Sequence, residues 1–464
     1  MASDCIKKIK VYFTLTYMVL FIINSFYPSM IFALLMAPIA VLILILAFPL
    51  IKSFNKYLSI ILLILGIILL FNQNAGWESW VEALSKNAGI TILLLSLPLL
   101  KIILSYEDFE TPILNFTRKY TNTPTRFYVS TSVITIIFGL LLNVASIHMV
   151  HQLLEKPMKK YPRKLFYQAA TRSFTSNMFW SPNNVSVAIV IQSLALPWHA
   201  IALQGFLIAL LANILSTFMV KMSYKSKVME LGEGECEGAN EIYGVESEED
   251  SSEKGFKETL RILGLVFLLI FMVIFLTSTT KKSVMVIVPL LAIIYPAVMA
   301  VIFKKIHIFK MKFQEYLNTS LPSLNDEMVL FTSIAFFGYA LGISDIISLI
   351  PRIIQQFGFS SPITLLPFII FFITSLALLG LHPIITISTI SAAFFSGGMP
   401  VTKLQLAFAM LTAYYLYTLL SPFSGVALIT SSLSKKNPFS ISFKLHYLYA
   451  LIFTILLVLI LSAF

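Results

Sequence analysis

The chain has 464 residues, 58% of them hydrophobic and only 12% charged, with a formal net charge of +11. Stretches of about 20 apolar residues recur from end to end, which excludes a soluble globular protein and identifies an all-α polytopic membrane protein. The basic residues cluster in short loops at helix ends, so the charge reads as topogenic and as contact with the lipid bilayer, with no nucleic-acid partner expected.

The N-terminal helix, over 1–28, carries Lys7, Lys8 and Lys10 before its apolar run. No small-residue cleavage site follows, so it is read as a retained first span. Hydropathy then places spans at 11–27, 29–51, 57–72, 88–105, 165–198, 199–221, 259–280, 284–303, 328–350, 402–433 and 439–463. That makes about 11 transmembrane helices. Two of them, 165–198 and 402–433, are long and broken by Ser181-Pro182 and Ser421-Pro422. Two further apolar stretches, 126–155 and 362–398, are too long for one helix and too interrupted for a simple span. Each is expected to form a re-entrant hairpin, with tips at Leu142-Asn143-Val144-Ala145-Ser146 and at Leu381-His382-Pro383.

Treating both stretches as re-entrant orders the charges. Lys52, Lys56, Arg118, Lys119, Arg126, Lys156, Lys159, Lys160, Arg163 and Lys164 then fall inside, as do Lys304, Lys305, Lys310, Lys312, Lys435 and Lys436. The loop at Gly76-Trp77-Glu78 lies outside, and Lys281 and Lys282 are the exceptions to the bias. The expected location is the cell membrane, with the N-terminus cytoplasmic and the C-terminus extracytoplasmic. Cys5 and Cys236 both fall in cytoplasmic segments, so no disulfide is expected.

Residues 223–258 differ in composition. Glu233, Glu235, Glu237, Glu241, Glu246, Glu248, Glu249 and Asp250, among glycines and serines, mark an acidic, solvated cytoplasmic linker. The halves on either side, 29–222 and 259–464, match element by element: three spans, a hairpin, a broken helix, a closing span. Five full crossings per half insert the second upside down, giving two inverted-topology repeats, the plan of alternating-access carriers.

In layout, 29–464 resembles the ion transporter superfamily, and in particular its divalent anion/sodium symporter family. Asn143 stands where that family has the asparagine of its Ser-Asn-Thr hairpin signature; Gly380-Leu381-His382-Pro383 departs from it. The resemblance implies carboxylate transport by homodimers.

Irregular backbone at bilayer depth is tolerated only where protein or a watery cavity lines it. A broken helix exposes carbonyls that coordinate a cation and N–H groups that attract an anion. Asn143, Ser146, Ser181, Pro182, Asn183 and Asn184 in the first half, and His382, Pro383, Thr386, Ser421, Pro422 and Ser424 in the second, are therefore the candidate substrate site. Asn143, Ser181, Asn183 and Ser421 are the candidate cation ligands. Against this stands the reading that a Ser-Pro pair merely kinks its helix, the serine re-satisfying the freed carbonyl. Two such pairs, each about 38 residues beyond a polar hairpin tip, favour a site.

Two roles stand open for His382: a substrate or proton contact, or a packing histidine beside a proline. Arg172 is either functional within its span or snorkels to the interface. Asp345 invites a proton-relay role or an interfacial turn, whereas Asp326 and Glu327 fit a helix start. His148 and His151 lack a third ligand, so no metal site and no cofactor is expected. No H-E-x-x-H, Walker A or G-x-S-x-G motif occurs, and no enzymatic activity is expected. The function expected is secondary active transport of a small organic anion, driven by Na⁺ or H⁺ as coupling ion. The rival is an integral-membrane enzyme or a handler of lipid-linked precursors.

Overall fold

The computed structural model describes residues 2–51, 53–85, 88–106, 121, 123–231, 249–397 and 399–463. Outside the described residues lie Lys52, Arg118, Lys119, Cys236 and 232–248 of the acidic linker, as do the side chains of Cys5, Lys7, Lys8, Lys156, Glu249, Asp250 and Arg261.

Every regular element among the described residues is helical. Four helices, α1 (Ala2–Phe26), α2 (Met30–Ala47), α3 (Ser53–Asn72) and α4 (Trp77–Ser85), precede α5 (Ala88–Leu100). Then come the pair α6 (Pro124–Leu142) and α7 (Ala145–Leu153), the pair α8 (Arg163–Ser176) and α9 (Val185–Ser193), and α10 (His199–Leu231). The second half has α11 (Glu249–Thr280), α12 (Val284–Ile302), α13 (Ile306–Glu315), α14 (Asn325–Gly342) and α15 (Leu349–Gln356). It ends with the pairs α16 (Pro362–Leu378) and α17 (Pro383–Phe395), α18 (Lys403–Leu420) and α19 (Gly425–Ser434), and with α20 (Phe443–Ser462).

Among the described residues, eight helical stretches are long and apolar enough to cross a membrane, including Met30–Leu50, Pro124–Leu142, Val284–Ile302, Lys403–Ser434 and Pro438–Ser462. Lys56–Asn72, Gly264–Thr280, Pro362–Leu378 and Pro383–Phe395 are shorter apolar helices. Rows of large apolar side chains stay exposed, such as Leu203, Leu207, Leu210, Ile214 and Phe218 on α10 and Phe267, Phe271 and Phe275 on α11. In water such a patch would drive aggregation; in a bilayer it faces hydrocarbon. The chain is an all-α polytopic membrane protein.

The helix boundaries follow local chemistry. Ser29, Thr123, Ser283 and Thr402 cap α2, α6, α12 and α18 by accepting a first-turn N–H, and Gln405 completes a capping box with Thr402. Asp326 and Glu327 sit in the first turn of α14, although the cap position itself is Leu324. Two elements fall where the hydropathy reading has only loops. The loop at Trp77 is the helix α4, and of the lysines after α12, Lys310 and Lys312 belong to α13, where Lys312 bonds Glu315 at 2.8 Å and holds its carboxyl below the usual range. The 328–350 span ends early: α14 stops at Gly342, and Asp345 begins a 3₁₀ turn where Gln73 Nε2 donates to its carboxylate at 3.3 Å.

The packing recurs in exchanged pairs. α6 packs on α8 as α16 packs on α18, α8 on α10 as α18 on α20, and α10 on α6 as α20 on α16. Between halves, α7 lies on α19 as α17 lies on α9, and α3 on α14 as α12 on α5. One apolar cluster runs through both halves, with Phe174, Phe179, Tyr415 and Phe453 among its fully buried members.

Candidate functional site

The first apolar pair turns at Asn143, whose φ of 52° is unusual for a residue with a side chain. The second turns through Gly380, at φ 103°, into His382-Pro383, with Pro383 at the first position of α17. Both tips thus reverse the chain through positive φ. Asn143 and His382 are partly exposed, whereas Ser146 and Pro383 behind them are buried.

The helical backbone is interrupted at both Ser-Pro pairs. α8 ends at Ser176, one 3₁₀ turn follows over Asn177–Phe179, and α9 restarts at Val185 with Asn184 as cap, its Oδ1 accepting from the Ser186 N–H at 3.1 Å. α18 ends at Leu420, and α19 restarts at Gly425 with Ser424 as cap, its Oγ accepting from the Ala427 N–H at 3.1 Å. The freed carbonyls find serine hydroxyls in both places. Ser186 Oγ donates to the Met178 carbonyl at 3.0 Å, and Ser424 Oγ to the Thr418 carbonyl at 2.8 Å. The Ser421 hydroxyl accepts from the Phe423 N–H at 3.2 Å, inside its own turn. Ser181, Asn183, Asn184, Ser421 and Ser424 are all buried.

The first break is fastened to the first tip. Asn183 Nδ2 donates to the Leu140 carbonyl at 2.8 Å and Asn177 Nδ2 to the Ile136 carbonyl at 3.0 Å, both on α6. Gly139 allows this approach: a Cβ there would sit 2.6 Å from Asn177 Nδ2, with Ser146 Oγ 3.8 Å away. Asn177 Oδ1 and Ser146 Oγ, both buried, have no hydrogen-bond partner. Two hard oxygen acceptors left open beside broken backbone suit a small cation better than they suit apolar packing. On the opposite side of the break, α10 comes so near that a Cβ on Gly205 would be 2.1 Å from the Phe179 carbonyl oxygen.

The second tip rests on aromatic rings. His382 lies 5.8–6.0 Å from Phe331, Tyr414 and Tyr417, and its Nδ1 accepts from the Ile384 N–H at 3.4 Å. Thr386 turns its hydroxyl back to the Pro383 carbonyl at 2.9 Å. Phe179, in the first break, packs on Tyr415 of α18 at 5.1 Å, which joins the first break to the second broken helix.

Arg172 does not snorkel. It is 4% exposed, with Nε donating to His446 Nδ1 at 3.1 Å, Nη1 to Ser216 Oγ at 3.0 Å and Nη2 to the Leu445 carbonyl at 3.3 Å. Its guanidinium lies 4.3 Å from the centre of the Tyr449 ring. Sequence reasoning missed His446, Asn177, Ser186 and Gly139. Asn177 had a legible signal, an amide one helical turn before Ser181; His446 looked like any polar residue at the start of a span. His151, predicted near a boundary, stacks on Tyr167 at 6.1 Å.

No protein-family model matches the chain, and no curated protein does. Among solved structures it is similar to the YdaH transporter of Alcanivorax borkumensis, a crystal structure described as having an unusual topology. The two are 12% identical over 88% of this chain and 97% of the other, with a TM-score of 0.57. At that identity the likeness is one of fold.

Proposed function

We propose that the chain is a secondary active transporter that moves a small organic anion by alternating access, coupled to Na⁺ or H⁺. The observation that carries this reading is the crossed packing of two broken helices with two polar tips: α7 on α19 and α17 on α9. Such an arrangement puts half-helix ends from both halves around one region, and its exchanged contacts are what two inverted repeats with re-entrant hairpins would produce. That the structural neighbour is a transporter supports the same reading.

Na⁺ is the favoured coupling ion. Asn177 Oδ1 and Ser146 Oγ are open oxygens beside Asn143 and Asn183, whereas His382 is committed to its cap and its aromatic neighbours. The anion would meet the N-termini of α9 and α19, whose free N–H groups and dipoles attract negative charge. A homodimer in the cell membrane, N-terminus inside, completes the proposal.

The test is uptake of radiolabelled dicarboxylates and monocarboxylates into proteoliposomes under an inward Na⁺ or H⁺ gradient. Uptake that collapses when the gradient is removed is the expected result. Absence of flux for every anion under either gradient would overturn the transport reading.

A further inference from the structure

Where the start of α8, the end of α19 and the start of α20 converge, the fold leaves a cavity of about 220 Å³. Three lysines from three elements line it: Lys164 in the first turn of α8, Lys436 just beyond α19, and Lys444 in the first turn of α20. No carboxylate is among its lining residues; Tyr167, Ser440, Ile441 and Leu445 make up the rest of the wall. The three lysines are exposed and come from three elements, so their charges add to a positive potential over one concavity.

The wall behind adds to the field. The Leu445 carbonyl accepts from Arg172, and the remaining guanidinium bonds go to the uncharged acceptors His446 Nδ1 and Ser216 Oγ. A buried positive charge with neutral partners therefore stands next to the lysines.

The surroundings distinguish a lipid from a free ion. On the outer face of the same corner, Phe439, Phe443 and Tyr447 stack in a ladder, at 5.3 Å and 8° and then at 6.2 Å and 14°. All three are exposed, and Lys444 Nζ lies 6.0 Å from the Phe439 ring. Aromatic rings beside lysines at a span's end are the chemistry of the headgroup boundary. At about 220 Å³ the cavity is smaller than a typical drug-sized ligand pocket and on the scale of a phosphate ester.

We propose that this cavity is a headgroup site for an anionic phospholipid, with the phosphate on Lys164, Lys436 and Lys444 and the acyl chains along Phe439, Phe443 and Tyr447. The site does not depend on what the chain transports. Each lysine near an anionic headgroup contributes about fivefold in affinity, so removing three weakens binding roughly a hundredfold.

The full chain, purified in a neutral detergent, is titrated with dioctanoyl phosphatidylglycerol, dioctanoyl phosphatidylcholine or inorganic phosphate, with bound lipid counted by native mass spectrometry and stability followed by thermal unfolding. Phosphatidylglycerol is expected to bind and to raise the unfolding temperature. That effect should be lost when Lys164, Lys436 and Lys444 are all replaced by Gln and kept when all three become Arg. A control with Lys304→Gln and Lys310→Gln should bind like the parent. Binding that survives the triple Gln replacement, or that the control abolishes equally, overturns the site. An equal shift from inorganic phosphate, or from phosphatidylcholine, overturns its assignment to an anionic lipid.

Discussion

Asn183 donates its side-chain amide to the Leu140 carbonyl at 2.8 Å, and this bond ties the first helix break to the last turn of α6. The carbonyl needs it. α6 ends at Leu142, so the N–H that would have continued the helical ladder is turned away by Asn143. Asn183→Ala leaves a buried acceptor open, at a cost of ~1–3 kcal/mol. Thermal unfolding should register that loss, and uptake should fall further than stability does, because the break is also a proposed cation ligand. Unchanged uptake in a folded Asn183→Ala protein would move the cation site elsewhere.

Ser186 and Ser424 serve matching ends in the two broken helices, recapturing the Met178 and Thr418 carbonyls. Ser186→Ala and Ser424→Ala are each expected to destabilise by ~1–3 kcal/mol. They sit in different breaks and share no partner, so the double variant should equal the sum within about 0.5 kcal/mol. Coupling well above that in a double-mutant cycle of chemical unfolding would mean that the two breaks move as one unit.

How much of this was legible beforehand depended on the kind of signal. Proline in apolar runs marked both breaks and the second tip, and Asn143 with Ser146 marked the first, because a lost N–H or a polar residue that tolerates positive φ stands out in an apolar run. α4 and α13 were not legible: Trp77–Ser85 and Ile306–Glu315 are short and mix charge with apolar residues, so hydropathy registers them as loops. The fastening of the site was equally hidden. Nothing in the sequence ties Asn177 to Ile136, or Arg172 to His446 at a separation of 274 residues, since such bonds exist only after α6 meets α8 and α8 meets α20. Arg172 misled for a physical reason: its position near a span's end permits snorkelling, and only the acceptors on α20 and α10 make burial the better state.

Gly205 is the tightest contact at the first break. An added methyl would lie 2.1 Å from the Phe179 carbonyl oxygen, a backbone atom that cannot rotate away. Gly205→Ala must therefore push α10 off the break, and the loss should be of the order of 1–3 kcal/mol, as for an overpacked core. Gly264, which has nothing within 4 Å of its Cβ position, provides the control: Gly264→Ala should be neutral or slightly stabilising in the same unfolding assay.

His382 caps α17 while three rings enclose it. If the histidine only shapes the tip, Asn, which also caps well, should preserve Na⁺-driven uptake, and Ala should lower it with a stability loss of ~0.5–2 kcal/mol. Loss of all uptake in a stably folded His382→Asn protein, together with loss of its pH dependence, would instead assign the coupling proton to this residue.

Arg172 gives the strongest separation between a buried and a surface charge. Its three hydrogen bonds reach His446, Ser216 and the Leu445 carbonyl, and so hold α8 against α10 and α20. Arg172→Met fills similar volume but leaves those acceptors open, for a cost of ~2–4 kcal/mol. Arg172→Lys keeps the charge yet loses the planar fork and the stacking on Tyr449, so it should fall between Met and the parent. Both effects should hold between about 0.1 M and 1 M salt, because ions do not reach a buried pair. Lipid binding at Lys164, Lys436 and Lys444 should weaken steeply over the same range. An unfolding temperature for Arg172→Met equal to that of the parent would show that the network holds nothing together.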